Sequence, residues 1–418
     1  MSRHDLMLSS DSPQTPSRRK FIQGASALAI AYAPISKASN FQGRPKGGKV
    51  FAYIGTDTSA IDGNANGKGI YLFEMDISSG RLSFVKLAAE AKSPSWLCLD
   101  LSQRYLYAAN EISDFEGKNG SVSAYAVDKT NGDLQLLNTV SSQGAGPAHL
   151  SVDAAGKYVF VANYGGGSIA VFPVSPDGSL GAPTFTHRDQ GDVGSQKATS
   201  GPPGSFAISG HDRPHAHMIG ADPGNRFVLQ TDLGQDRIYV YRFDQSTGQL
   251  TPAATPFASL PSGDGPRHFA FHPNGRWLYS IQEEASTVVF FHFDPGTGSM
   301  AAQQTLSSLP SGFTGTSFAS GIRVSPDGRT LYAANRLHNS IAAFSIDNTG
   351  HLKHIGDTPT LGDYPPQFNI DPSGNFLYVC NQRSDQITSF RVDKKTGTLA
   401  FTGQYTPVGT PTCIIFMT

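Results

Sequence analysis

From residue 49 onward, apolar and polar positions alternate in short runs of six to eight residues, each closed by a turn former. Period-two alternation between Gly, Pro, Asn and Asp turns predicts half-buried β-strands rather than helices. One phrase recurs. Gly265–Pro266–Arg267–His268–Phe269–Ala270–Phe271 leads into a strand, Pro273–Asn274–Gly275 turns it, and Trp277–Leu278–Tyr279 begins its partner. The phrase returns as Gly146–Pro147–Ala148–His149 with Tyr158–Val159–Phe160. It returns again as Tyr364–Pro365–Pro366–Gln367 with Phe376–Leu377–Tyr378. A second signature follows each time, an alternating strand and an Asp-to-Gly hairpin such as Asp128–Lys129–Thr130–Asn131–Gly132 or Asp244–Gly248.

Aligning the units on Tyr53, Tyr107, Phe160, Leu229, Tyr279, Tyr332 and Tyr378, taken to close each second strand, gives repeats roughly 50 residues long. Repeats of this length with four strands each predict an all-β, seven-bladed β-propeller with antiparallel blades. The first unit lacks a preceding Gly-Pro strand, while the chain ends on a spare one, Gly409–Thr410–Pro411–Thr412–Cys413–Ile414–Ile415–Phe416. That strand is expected to complete the first blade and close the ring, which removes free sheet edges. The domain division is 1–45, a leader and linker, and 46–418, the propeller, with an insertion loop at 183–213.

The leader changes the expected location. Ser17–Arg18–Arg19–Lys20–Phe21–Ile22 precedes a mild apolar run, Gly24–Ala33. This is the form of a twin-arginine export signal, too short and alanine-rich to span a bilayer. The protein is therefore expected in the periplasm or outside the cell, as a monomer without membrane insertion once the signal is removed. A net charge of -1 on 418 residues favours neither nucleic acid nor an anionic membrane as partner. Three cysteines make no disulfide framework.

In such a blade the start of the innermost strand and the end of the second strand share one face. The strand starts carry Trp96, His149, His215, His217, Arg267 and His268. The strand ends carry Asn110 and Glu111, Asn163 and Tyr164, Asp232 and Asp236, Glu283 and Glu284, Asn335, Arg336 and His338, and Asn381, Gln382 and Arg383. A polar funnel for a small polyhydroxylated or anionic ligand is the reading these residue types support. Arg267 and Glu283 belong to one repeat and are expected in one site. Asn110, Asn163, Asn335 and Asn381 recur at one place and are read as turn caps. His215 and His217 share strand parity and make half of a metal site, but no partner ligands stand at fixed spacing, so no metal is assigned.

Four blocks in the same order carry a family resemblance. They are Ala148–His149–Leu150–Ser151–Val152–Asp153 with Asn163–Tyr164–Gly165, and Pro214–His215–Ala216–His217 with Thr231–Asp232. The others are Gly265–Pro266–Arg267–His268 with Glu283, and Asn381–Gln382–Arg383–Ser384–Asp385. Together they resemble the seven-bladed lactonase family, which includes propeller-type 6-phosphogluconolactonases and fungal carboxymuconate lactonizing enzymes. The resemblance implies a hydrolase that opens a sugar or carboxylic-acid lactone, with a lactonizing cyclase and a non-catalytic exported binding propeller as alternatives. It implies no organic cofactor and no metal. It points to His149, Glu283 and Arg267 as catalytic; the needs of ester hydrolysis then make Glu283 or His149 the base and have Arg267 and Arg336 hold the oxyanion. His215, His217, Asp232, His268, Arg336 and Gln382 are then substrate-binding, and the partner is a small lactone or hydroxy acid. The chain departs from the family pattern at Leu337 and Asn339, where glycine and aspartate are usual, and Leu337 is expected to narrow the site.

Overall fold

The structure is a computed structural model that describes residues 49–59, 65–202, 205–208 and 210–418. The twin-arginine segment lies outside the described residues. Seven four-stranded antiparallel sheets form the blades of a propeller. The fifth blade is typical: Pro266–Phe271 innermost, then Trp277–Gln282, Thr287–Phe293 and Met300–Ser307. The C-terminal strand Pro411–Met417 pairs with Val50–Thr56 and is the innermost strand of the first blade, as the spare repeat predicted. One segment expected in the insertion, Phe185–Arg188, is instead the outer strand of the third blade.

The core lies between blades, where inward apolar residues of adjoining sheets meet, as with Phe160, Val171, Ile219 and Tyr241. The aligned aromatics sit near the start of each second strand, not at its end: Tyr279 is the third residue of Trp277–Gln282. Their hydroxyls explain the repeat. Tyr53 donates to the Gly132 carbonyl at 3.0 Å, Tyr107 to Gly178 at 3.1 Å and Tyr279 to Gly350 at 2.9 Å. Tyr332 donates to Gly397 at 2.9 Å and Tyr378 to Gly80 at 2.8 Å. Each acceptor is the hairpin glycine of the following blade, held at positive φ (Gly350 at +92°). A fully buried phenol needs such a partner, so each tyrosine clasps its neighbour's turn.

The inner strands share an irregularity that positions the site. In five blades one extra residue bulges from the inner strand: Ser95, Ala148, His217, Arg267 and Thr412. A bulge breaks the two-residue alternation and re-aims one side chain. In the sixth blade two residues, Ser320 and Gly321, take its place.

Candidate functional site

All five single-bulge residues line one cavity of about 400 Å³ at the ring centre. The second contribution comes from the residue after each recurring polar strand end. Asp57, Glu111, Tyr164, Glu283, Arg336 and Gln382 follow Thr56, Asn110, Asn163, Gln282, Asn335 and Asn381, and all six line the same cavity. The fourth blade has Leu233 at this place, and it is buried in the protein. None of the preceding asparagines lines the cavity; Asn163 and Asn335 hold backbone carbonyls, while Asn110 donates to the Ser121 and Ser123 hydroxyls. Asn163 donates to the Ser142 carbonyl at 2.9 Å and Asn335 to that of Ser308 at 2.6 Å.

Glu283 is the electrostatic centre. Its Oε2 lies 2.9 Å from Arg267 Nε and 2.6 Å from Arg336 Nη2, and all three side chains are 9% exposed. Its backbone is fixed on both sides, its amide donating to the Gly265 carbonyl at 2.7 Å and its carbonyl accepting from Ala319 at 3.0 Å. The two arginines differ. Burial, with Arg336 adding, brings the Arg267 pKa down to about 10 against the pull of Glu283. Burial acts on Arg336 the same way, but Glu283 and Tyr364 outweigh it and raise its pKa. The shorter contact agrees, so Glu283 is held chiefly by Arg336. Arg267 also donates from Nη1 to the Ser320 carbonyl at 3.1 Å, which sets its direction.

His217 and His268 line the cavity together with Trp96. Burial pushes both imidazoles well below their ordinary range, and Arg267 adds to it, so both are neutral at pH 7. The two rings meet edge to face with centroids 5.0 Å apart. His217 Nδ1 is buried without a hydrogen-bond partner, an acceptor or donor waiting on this cavity wall.

Three expected site residues are placed elsewhere. His149 follows the Ala148 bulge, so Ala148 faces the cavity while His149 lies under Trp96, ring centroids 4.3 Å apart, and is 3% exposed. Burial, with Arg323 and Arg267 adding, holds its pKa well down. His215 stacks on Tyr164 and its ring nitrogens reach the Tyr164 carbonyl at 3.0 Å and Asp212 Oδ1 at 2.8 Å. Asp232 is fully buried, accepting from the amides of His215 at 3.0 Å and Gln235 at 2.9 Å. It shares its surroundings with Asp189, whose pKa burial and the Asp232 charge raise to about 9. The expected histidine pair thus divides, one ring to the cavity and one to the insertion.

The insertion is anchored beside the cavity and contributes no lining residue among those described. Ser200 donates to Asp264 at 2.6 Å, and His211 Nε2 lies 3.0 Å from Asp236. Leu337 does not narrow the cavity either; it is 39% exposed and stands outside the lining. Its φ of +68° explains why glycine suits the position. Asn339 instead shapes the wall indirectly, its Oδ1 accepting from the Tyr364 amide at 2.9 Å.

Tyr364 is the wall residue that sequence reading passed over. It takes the place of Gly265 and Gly146 before the proline, yet keeps their left-handed backbone, with φ +58°. A bulky residue held there costs about 1–2 kcal/mol. That unusual Tyr-Pro was the available signal. Its ring carries Arg383 Cζ at 3.7 Å and Arg336 Cζ at 5.2 Å, which stiffens one side of the cavity. Among the described residues no group of three or more His, Cys, Asp or Glu is arranged to hold a metal ion.

Residues 51–416 match the family described as Lactonase, 7-bladed beta-propeller. The 6-phosphogluconolactonase of Bacillus subtilis is 34% identical over 370 residues, spanning 88% of this chain and 99% of that protein. The solved structure of the Pseudomonas aeruginosa periplasmic gluconolactonase superposes with a TM-score of 0.78 at 30% identity, covering 88% of this chain and 99% of that one. A Lactobacillus plantarum protein superposes with a TM-score of 0.77 at 29% identity, covering 88% of this chain and all of its own. A match over the whole ring shows the family: the chain belongs to the seven-bladed β-propeller lactonases, and with them to the carboxylic ester hydrolases.

Proposed function

We propose that the protein hydrolyses the δ-lactone of an unphosphorylated sugar acid in the central cavity. The observation that carries this reading is Glu283 bracketed by Arg267 and Arg336 on a wall that also presents neutral imidazoles. A lactone is an ester, so its hydrolysis needs a base for water and a donor for the oxyanion. In this reading Glu283 takes a proton from the attacking water. Arg267, the less tightly paired guanidinium, supports the charge that develops on the carbonyl oxygen. His217, His268 and Gln382 face the sugar hydroxyls, with His217 Nδ1 as a ready partner. His149 supports the wall from beneath Trp96 and is not given the role of base.

Charge favours the unphosphorylated substrate. Both arginines of the wall are engaged by Glu283, and Asp57 and Glu111 place two further carboxyls on the same cavity. A phosphate dianion would meet more negative than uncommitted positive charge there. The P. aeruginosa relative bears the name gluconolactonase, the B. subtilis relative 6-phosphogluconolactonase. The test is proton release in weak buffer with δ-gluconolactone and 6-phosphogluconolactone in parallel. This reading expects a higher kcat/KM for the unphosphorylated lactone; the reverse preference overturns it. Export through Ser17–Ile22 is part of the proposal and fits such a substrate. Fractionation of cells expressing the chain, with Arg18 and Arg19 intact or changed to Lys, tests it; equal cytoplasmic retention of both forms contradicts it.

A further inference from the structure

The cavity holds a second carboxyl that the hydrolysis outlined above does not use. Glu111 occupies in the second blade the position that Glu283 occupies in the fifth, directly after the recurring strand-end residue. The ring carries these two positions three blades apart, so the two carboxyls approach the cavity from different sides.

The backbone at Glu111 is unusually well held. In the second blade the second strand, Tyr105–Phe115, runs on past the cavity and pairs again through Phe115 with Asn119, which among the described residues no other blade does. The Glu111 amide donates to the Ser93 carbonyl at 2.8 Å. The next carbonyl, that of Ile112, accepts from Gly146 of the following blade at 2.9 Å. The side chain therefore projects from a frame tied to the entry of its own inner strand and to the following blade, as a group that must meet a substrate atom requires.

The surroundings of the two carboxyls are opposite. Glu283 lies between two guanidinium groups. Glu111 has no cation within ion-pair distance among the described residues, and Asp57 lies on its side of the cavity. Burial raises the Glu111 pKa and the Asp57 charge adds to it, while the Ser95 hydroxyl and Arg267 oppose. Asp57 is engaged by its own loop. Its Oδ1 already accepts from Ser93 Oγ at 2.7 Å and from Ser59 N and Oγ at 2.9 Å each. Two carboxyls on one cavity, one bracketed by guanidiniums and the other beside a second carboxyl with no cation at hand, can divide the roles of base and acid.

We propose that Glu111 is the catalytic acid of this site, the group whose proton passes to the ring oxygen when the lactone opens. The assignment rests on the hydrolase reading above. Water gives one proton to the Glu283 carboxylate and its oxygen bonds to the carbonyl carbon. The acyl carbon–ring oxygen bond then breaks, and the departing oxygen takes the Glu111 proton to become the hydroxyl of the open acid. The new carboxylic acid ionises to solvent. Glu283 returns its proton to solvent and Glu111 regains one, so one proton is released per lactone opened. An alkoxide is a poor leaving group, which is why an acid on that side of the substrate matters.

The test is steady-state hydrolysis of δ-gluconolactone by the full-length protein between pH 5 and 9, with spontaneous hydrolysis subtracted. Glu111→Gln is expected to lower kcat by about 10²–10⁴-fold with KM little changed. It should also remove the fall in kcat that the wild type shows toward high pH. Glu111→Asp should recover part of the rate and shift that fall. A kcat within threefold of wild type, a loss confined to KM, or an unchanged high-pH fall overturns the assignment. A wild type without turnover overturns the hydrolase reading and the assignment with it, whereas an active wild type with an active Glu111→Gln overturns the assignment alone. If Glu111→Gln does not melt cooperatively, Glu111→Asp decides: a shifted high-pH fall supports the proposal and an unshifted one overturns it.

Discussion

Replacing Glu283 by Gln should destabilise the ring more than replacing either arginine it holds. The wild-type cluster is one carboxylate between two guanidiniums at 2.9 and 2.6 Å, with all three side chains 9% exposed. At an effective dielectric near 20, unit charges about 4 Å apart interact by about 4 kcal/mol. Glu283→Gln removes two such attractions and leaves two buried guanidiniums facing each other. The lost carboxylate desolvation and the accepting amide oxygen offset part of this. Buried pairs stripped of one partner lose about 3–5 kcal/mol, and the doubled guanidinium places this cluster toward the upper end. For a ring of this size that is a fall of about 4–6 °C in Tm. Arg267→Ala instead leaves Glu283 paired with Arg336 and relieves the repulsion between the arginines, so about 1–2 kcal/mol is expected. Urea unfolding followed by tryptophan fluorescence measures the wild type and both variants. A Glu283→Gln protein as stable as the wild type, or more stable than Arg267→Ala, refutes this electrostatic reasoning.

Other consequences reach the frame around the site. Deleting Pro411–Met417 exposes the inner edge of Val50–Thr56 and should abolish the cooperative circular-dichroism melt; an unchanged melt contradicts ring closure by that strand. Tyr279→Phe leaves the Gly350 carbonyl without its 2.9 Å donor and should cost about 1–3 kcal/mol in urea unfolding, with no loss counting against the clasp. Asp189 has its pKa raised to about 9 by burial and the Asp232 charge. The folded chain thus keeps a proton there that the unfolded chain releases above about pH 4, and stability falls as pH rises from that point through pH 9. Asp189→Asn should flatten that fall by up to about 1.4 kcal/mol per pH unit, read from urea midpoints at pH 5, 6.5 and 8; an unaltered slope contradicts a proton retained on Asp189.

The fold was legible because its signals are local. Alternation, Asp-to-Gly hairpins and the repeated tyrosine all lie within a few residues of what they specify. The surplus C-terminal strand made ring closure a matter of counting. The site was legible only in part, because a bulge shifts side-chain direction by one residue and leaves no mark in the alternation. Arg267 and His217 are bulge residues and reach the cavity, as does Glu283 at a strand end. Ala148 occupies the bulge in the third blade, so the neighbouring His149 turns beneath Trp96. Asp232 precedes the cavity-facing position by one residue and serves the backbone instead. Asp212, three residues back, and Tyr164 draw His215 aside, and the Tyr164 contact joins separate blades, which no stretch of chain reveals alone.

The central claim is that Arg267 and Glu283 make this cavity a lactone-opening site. Turnover of δ-gluconolactone by wild type and Arg267→Ala, measured by proton release beside a melting curve for each, tests it most directly. The account predicts turnover by the wild type and a kcat about 10²–10³-fold lower in a variant that remains folded. A wild type that opens no lactone, or a folded Arg267→Ala that keeps its full rate, contradicts it.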